Sequence, residues 1–179
     1  MPSLGNLMMK KETETISSAE SLRLEGLRDK AMYTYYTNRI KSINETLCVW
    51  DSRRKSAKSL ADRDDYAIGM NQLQEKGIRV SFQAAQKLKN PAHKEKFYFE
   101  CINWGISYYG IDYPSLSFKL LHPKISSMFR QACKGYVDAA KELINNKKCD
   151  SENEFRLMHK IVYCENIGRT LSLFHAKRD

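Results

Sequence analysis

The sequence predicts an all-α protein, and three observations carry that reading. Apolar residues recur in steps of three and four over long windows. Two capping-box signatures, Ser17 with Glu20 and Ser151 with Glu154, stand ahead of such windows. The single β-prone stretch, ISYYGIDYP, is short and has no second strand in the sequence to pair with.

Residues 1–16 are small and polar without periodicity and read as a flexible N-terminal arm. From Ser17 a helix is predicted with one stripe: Leu24, Leu27, Ala31, Tyr35/Tyr36, Ile40, Ile43, Leu47 and Trp50. About 32 residues at 1.5 Å rise give a rod of roughly 48 Å, long for a small domain. The following stretch, Asp51 to Gly77, also reads as helical but has at most a thin apolar seam, because Asp64 and Asp65 stand where a core stripe would continue. Gly77 is predicted to end that helix in a left-handed C′ position, with Ile78 covering the end. A separate helix follows over Arg79–Lys89 and stops at Asn90-Pro91. Pro91 then opens a helix carrying Phe97, Tyr98, Cys101, Ile102 and Trp104. Gly105 is expected to begin a packed aromatic loop.

The last third is more regular. A helix from His122-Pro123 carries Ile125, Met128/Phe129, Ala132/Cys133, Tyr136, Ala139/Ala140 and Leu143. After NNKKCD, a final helix carries Phe155, Met158, Ile161/Val162, Cys164, Ile167 and Leu171 and ends in a basic tail. Residues 114–176 thus form a helical hairpin closed by the helix around Phe97. The expected organisation is an arm (1–16), a long helical, partner-binding region (17–90) and a C-terminal helical bundle (91–179). Gly26, Gly69, Gly135 and Gly168 fall inside predicted helices, at a cost of about 1 kcal/mol each relative to alanine. They mark either close helix approach or missed helix breaks.

Composition bounds the function. The 42% hydrophobic content is slightly below the usual share, and ten tyrosines and seven phenylalanines argue against a disordered chain. The net charge of +9 is spread out: residues 1–90 hold 16 Lys/Arg against 11 Asp/Glu, and residues 91–179 hold 14 against 10. A diffuse positive surface suits an acidic partner such as nucleic acid, anionic lipid or an acidic protein polymer; simple solubility is the plainer account. Five cysteines, Cys48, Cys101, Cys133, Cys149 and Cys164, are odd in number and widely spaced, so neither a disulfide framework nor a CxxC zinc site is predicted, and a reducing, cytoplasmic setting follows. MPSLGNLMMKK lacks the apolar run of a signal peptide, no segment approaches the ~20 apolar residues of a membrane span, and Asn44-Glu45-Thr46 is read as a chance sequon.

Catalytic signatures are not evident. The chain has no GxxxxGK[ST], GxGxxG, HExxH or GxSxG. His159 and His175 lie about 24 Å apart along one helix and cannot share a metal. Asp62, Asp64 and Asp65 lack the ligand pattern of a calcium loop and stand beside Arg53, Arg54, Lys55, Lys58 and Arg63, so local ion pairing accounts for them. No acid, base and nucleophile converge, and no enzyme activity, cofactor or metal is expected. YTYY at 33–36 shares the first helix's stripe, which points to core or interface rather than to base stacking.

One pattern goes further. Arg53-Arg54, Leu60, Asp62, Tyr66, Leu73 and Glu75-Lys76-Gly77-Ile78 follow in order. Residues 53–78 resemble the helix found in small axonemal microtubule inner proteins and the related trichoplein-like helical proteins. They depart from that pattern at Ala61 and the aspartates, which replace a leucine pair and a glutamate-rich run, and at Gly69. Glu95 to Gly105 echoes its ending with different spacing. In that family such helices lie in grooves between tubulin protofilaments or filament partners. The resemblance implies a non-catalytic structural protein of the cytoskeleton, in a ciliary or flagellar axoneme, bound to an acidic lattice such as tubulin. Arg53, Arg54, Lys55 and Lys58 would contact the acidic surface; Tyr66, Leu73 and Gly77 would seat the helix. A nucleic-acid-binding helical protein and an accessory subunit or adaptor of a large complex are the alternatives.

Overall fold

The computed structural model describes residues 4–109, 123–147 and 149–176, with side-chain surroundings for residues 20–108, 124–147 and 149–169. It contains five helices: α1 (Leu4–Ser56), α2 (Leu60–Lys87), α3 (Pro91–Tyr109), α4 (Pro123–Asn145) and α5 (Ser151–Ala176). No strand occurs among the described residues, so the all-α class is correct. Consecutive helices pack on one another, α1 on α2, α2 on α3, α3 on α4 and α4 on α5, and α2 also reaches α4. One buried cluster runs from Tyr36 on α1 to Ile167 on α5. The boundary expected at residue 90 therefore falls inside a shared core.

α1 is the outlier. Its 53 residues span about 80 Å, against about 42 Å for the 28 residues of α2. It includes residues 4–16, expected as an arm, and it runs through Ser17 and Glu20, which therefore do not start it. Its apolar stripe is real but only partly used. Tyr36, Ile40 and Ile43 are buried and Leu47 packs beside them, whereas Leu24 and Leu27 are exposed.

The α1–α2 junction falls inside the charged stretch that reads as one helix in the sequence. Ser59 is extended and its hydroxyl accepts from the Asp62 backbone N–H at 3.0 Å, capping α2. The charges then sort by helix polarity. Arg53, Arg54 and Lys55 occupy the last turn of α1 and Asp62 the first turn of α2, each where the helix dipole favours its sign.

Gly77 does not end a helix. α2 continues through it to Lys87 and absorbs the separate helix expected over Arg79–Lys89. The reason is packing. A Cβ on Gly77 would sit 2.4 Å from the Trp104 ring, so glycine lets the α3 indole lie against the α2 backbone. Gly69 does the same for Trp50, Gly105 for Phe129 and Gly135 for Tyr98. Among the described residues, a Cβ on Gly26 would meet nothing within 4 Å, and the nearest neighbour of a Cβ on Gly168 is Cys133 Cβ at 4.0 Å. Of the four helical glycines singled out in the sequence, two are seats for aromatic rings and none breaks a helix.

α3 starts at Pro91 as predicted but continues through Gly105 to Tyr109, because Gly105 meets Phe129 and keeps the helix in contact with α4. The rest of the expected loop, from residue 110, lies outside the described residues. α4 buries the predicted face: Ile125, Phe129, Ala132, Cys133, Tyr136, Ala139, Ala140 and Leu143. The turn after it places Lys147 in the left-handed region (φ 50°). Asp150, not Ser151, caps α5, its carboxylate accepting from the Asn153 N–H at 2.8 Å. α5 also turns differently from the sequence reading. Leu157, Ile161, Cys164 and Ile167 face the core, while Phe155, Met158 and Val162 are exposed. Leu171 and the basic tail lie outside the residues whose side chains are described.

Candidate partner-binding surface

The residues proposed from the sequence to bind a partner separate into two groups. Arg53, Arg54 and Lys58 are exposed at the α1–α2 tip. Lys55 is also exposed, with its ammonium 2.6 Å from the Asp51 carboxylate one turn earlier. A pair so open to solvent contributes little to stability and leaves the cation available. Arg63 leans back across the turn, its Nε donating to Ala57 O at 3.0 Å. Asp62, Asp64 and Asp65 are exposed on the same tip, which therefore carries both signs.

The second group faces inward. Tyr66 meets Trp50 edge to face at 6.2 Å between centroids, closing the α1–α2 hairpin. Leu73 packs on the core, and Gly77 is fully occupied by Trp104. These three pack within the fold and are not on a free face; of the seven residues expected to bind a partner, the four basic ones are exposed.

The sequence reading missed a polar corner where α1 meets the α2–α3 turn. Asp29 is 5% exposed. Its Oδ1 accepts from the backbone N–H groups of Lys89 and Asn90, and its Oδ2 lies 2.6 Å from His93 Nδ1. The Tyr33 ring stacks on His93 at 4.2 Å, and Lys96 Nζ reaches the Tyr33 hydroxyl at 2.5 Å. Burial pushes the Asp29 carboxyl up, but the Lys89 N–H, the His93 hydrogen bond and the Asn90 N–H together outweigh it, and Asp29 sits below the ordinary carboxylate range. The corner ties residues about 60 positions apart. No local pattern announces that, although the asparagine-proline helix start and the lysines of KLKNPAHKEK mark the place.

Three cysteines are interior. Burial pushes the Cys133 and Cys164 thiols up to about 12 and holds Cys101 higher still, so all three stay protonated and inert. All five cysteines are free, and only Cys48 is exposed. No group of three or more metal-ligating side chains occurs among the described residues. No described helix is long and apolar enough to cross a membrane.

No family model, curated protein or solved structure matches the chain.

What the surface offers is reach. Every described residue from Glu20 to Arg28 is exposed, including Leu22, Leu24 and Leu27. This part of α1 extends past the bundle with its leucines unburied. At the other end of the same helix stand Arg53, Arg54 and Lys55.

Proposed function

We propose that the chain is a non-catalytic structural protein that docks along an acidic cytoskeletal lattice, with a ciliary or flagellar axonemal microtubule as the partner. One observation carries the reading: α1 outruns its own bundle and keeps Leu22, Leu24 and Leu27 in solvent. Of these, Leu24 and Leu27 lie about 60° apart on one face of the helix, and such an exposed apolar pair marks a surface that a partner completes. The acidic character of the partner rests on the +9 charge and on the unburied cations Arg53, Arg54, Lys55 and Lys58. The microtubule rests on the resemblance of residues 53–78 to microtubule inner proteins. The reading uses the leucines for affinity and the cations for orientation and salt sensitivity.

Co-sedimentation with microtubules tests it. The wild-type chain should pellet, and less so as salt rises. Replacing Arg53, Arg54, Lys55 and Lys58 with glutamate should abolish pelleting. Leu24→Asp with Leu27→Asp should weaken it at least about tenfold. Both variants change exposed positions, so helical circular dichroism should be retained. A wild-type chain that stays in the supernatant, or variants that pellet as wild type does, would overturn the assignment.

A further inference from the structure

α1 has an outer face that its own bundle leaves unused. Leu24, Tyr35 and Val49 are 60%, 54% and 49% exposed. At about 100° per residue they lie within about 40° of one another around the helix axis. Arg28, Arg39 and Arg53 form a second row beside the first, also within about 40° of one another. Arg28 and Arg53 are exposed. Arg39 is half-buried against Tyr35, its guanidinium donating to the Tyr35 hydroxyl at 3.1 Å.

Both rows fit in a sector about 80° wide that runs from Leu24 to Arg53, about 44 Å along the helix. No Asp or Glu falls in that sector. None of its three arginines forms an ion pair among the described residues. The core-facing side of α1, marked by Tyr36, Ile40 and Ile43, points about 100° away. The far side, about 120–160° round, carries Lys30, Lys41 and Lys55. There Lys41 and Lys55 are already paired, with Glu45 at 3.9 Å and Asp51 at 2.6 Å. No large apolar side chain stands exposed among those lysines.

We propose that this sector is the face of α1 laid against the acidic lattice, in one continuous contact from Leu24 to Arg53. The inference rests on the lattice reading above and adds which side of the rod is buried. Two features select an acidic protein wall. Arginines on one line, with no carboxylate of their own among them, suit acidic side chains spread along a straight path. The row of Leu24, Tyr35 and Val49 needs apolar side chains opposite it. A nucleic-acid backbone would satisfy the arginines but set that row against phosphate and sugar.

The assignment divides the residues of the helix. Leu24 and Arg53 are inside the contact. Leu27 and Glu45 stand about 40° beyond its edge, and Glu45 is turned to Lys41. Lys55 lies about 160° round from Arg53 and faces away. Ser42 is exposed inside the sector, and the exposed thiol of Cys48 lies about 120° round from it. Cys48 therefore reports on the side left free.

Co-sedimentation of the full chain with microtubules tests the face with charge-matched pairs. Arg28→Glu with Arg39→Glu should weaken pelleting at least about tenfold. Lys30→Glu with Lys41→Glu makes the same change in net charge on the far side and should stay within about twofold of wild type. Val49→Asn leaves the charge alone and should weaken pelleting about threefold or more. On the pelleted chain, Ser42→Cys should be protected from a thiol reagent while Cys48 stays reactive. Helical circular dichroism should be unchanged in every variant. If the two charge pairs weaken pelleting alike, or if Ser42→Cys reacts as fast as Cys48, the face is wrong and the lattice reading stands. Val49→Asn pelleting as wild type does would remove the choice of a protein wall over a nucleic acid. A wild-type chain that does not pellet overturns the lattice reading and the face with it.

Discussion

Replacing Gly77 with alanine sets two effects of opposite sign against each other. Alanine favours a helix interior over glycine by about 1 kcal/mol. At Gly77 the new methyl would meet the Trp104 ring at 2.4 Å, about 1 Å inside the closest ordinary contact. Trp104 is 5% exposed, so the ring has no open space to swing into and a neighbour must shift. Overpacking of this kind costs about 1–3 kcal/mol. The net expectation is a loss of about 1 kcal/mol. Gly168 supplies the comparison, because its nearest neighbour stands at 4.0 Å and the propensity gain should survive there. Urea unfolding followed by helical circular dichroism should therefore move the midpoint down for Gly77→Ala and up for Gly168→Ala. Adding Trp104→Leu to Gly77→Ala should cost less than the two single changes summed, by about 0.5–3 kcal/mol of coupling. If both alanines stabilise alike and the cycle shows no coupling, the indole is not seated on Gly77 and the α2–α3 packing is wrong.

The Asp29 corner predicts an acid-sensitive joint. Its folded carboxyl lies below the ordinary value, so its contribution is complete above about pH 4 and is lost as pH falls through the folded value. Asp29→Ala should destabilise the chain by about 2–3 kcal/mol at neutral pH, because it orphans the Lys89 and Asn90 N–H groups and the His93 contact. It should also flatten the decline of stability below pH 4; an unchanged acid limb in a pH series of unfolding midpoints would refute the corner. Thiol labelling should be graded by burial. Cys48 should react in the native state, whereas Cys101, Cys133 and Cys164 should react only on unfolding, and fast native modification of three or more thiols, read by mass spectrometry, would contradict the core.

Legibility in the sequence tracked how local the deciding interaction is. The α4 face could be read directly, since its apolar residues lie on one stripe and all of them turn inward. α5 has two stripes, Leu157–Ile161–Cys164–Ile167 and Phe155–Met158–Val162, and periodicity alone does not say which one a neighbour covers. The end of α1 was hidden because Ser59 and Asp62 sit in a run of charges that reads as one polar helix; only the backbone angle at Ser59 shows the cap. Gly77 carries the sequence signature of a helix stop, but a ring arriving from Trp104 gives the same glycine a different use. Of the candidate partner-binding residues, the exposure of the basic four was legible because charge at a helix tip stays in solvent. Tyr66, Leu73 and Gly77 were misplaced because their neighbours come from other helices.

The ring-on-glycine seats have a consequence for sliding. A pair of helices joined only by aliphatic ridges can slip by one turn, about 5.4 Å, and find a similar set of contacts. Here Trp50 on Gly69, Trp104 on Gly77, and Phe129 and Tyr98 on Gly105 and Gly135 key three successive junctions. A one-turn slip would drive each ring into a side chain instead of bare backbone. α1 carries this furthest, since its unburied leucines gain nothing from any particular alignment with α2. The Trp50 notch indexes the rod along its axis, and with it how far Leu22, Leu24 and Leu27 stand from the bundle.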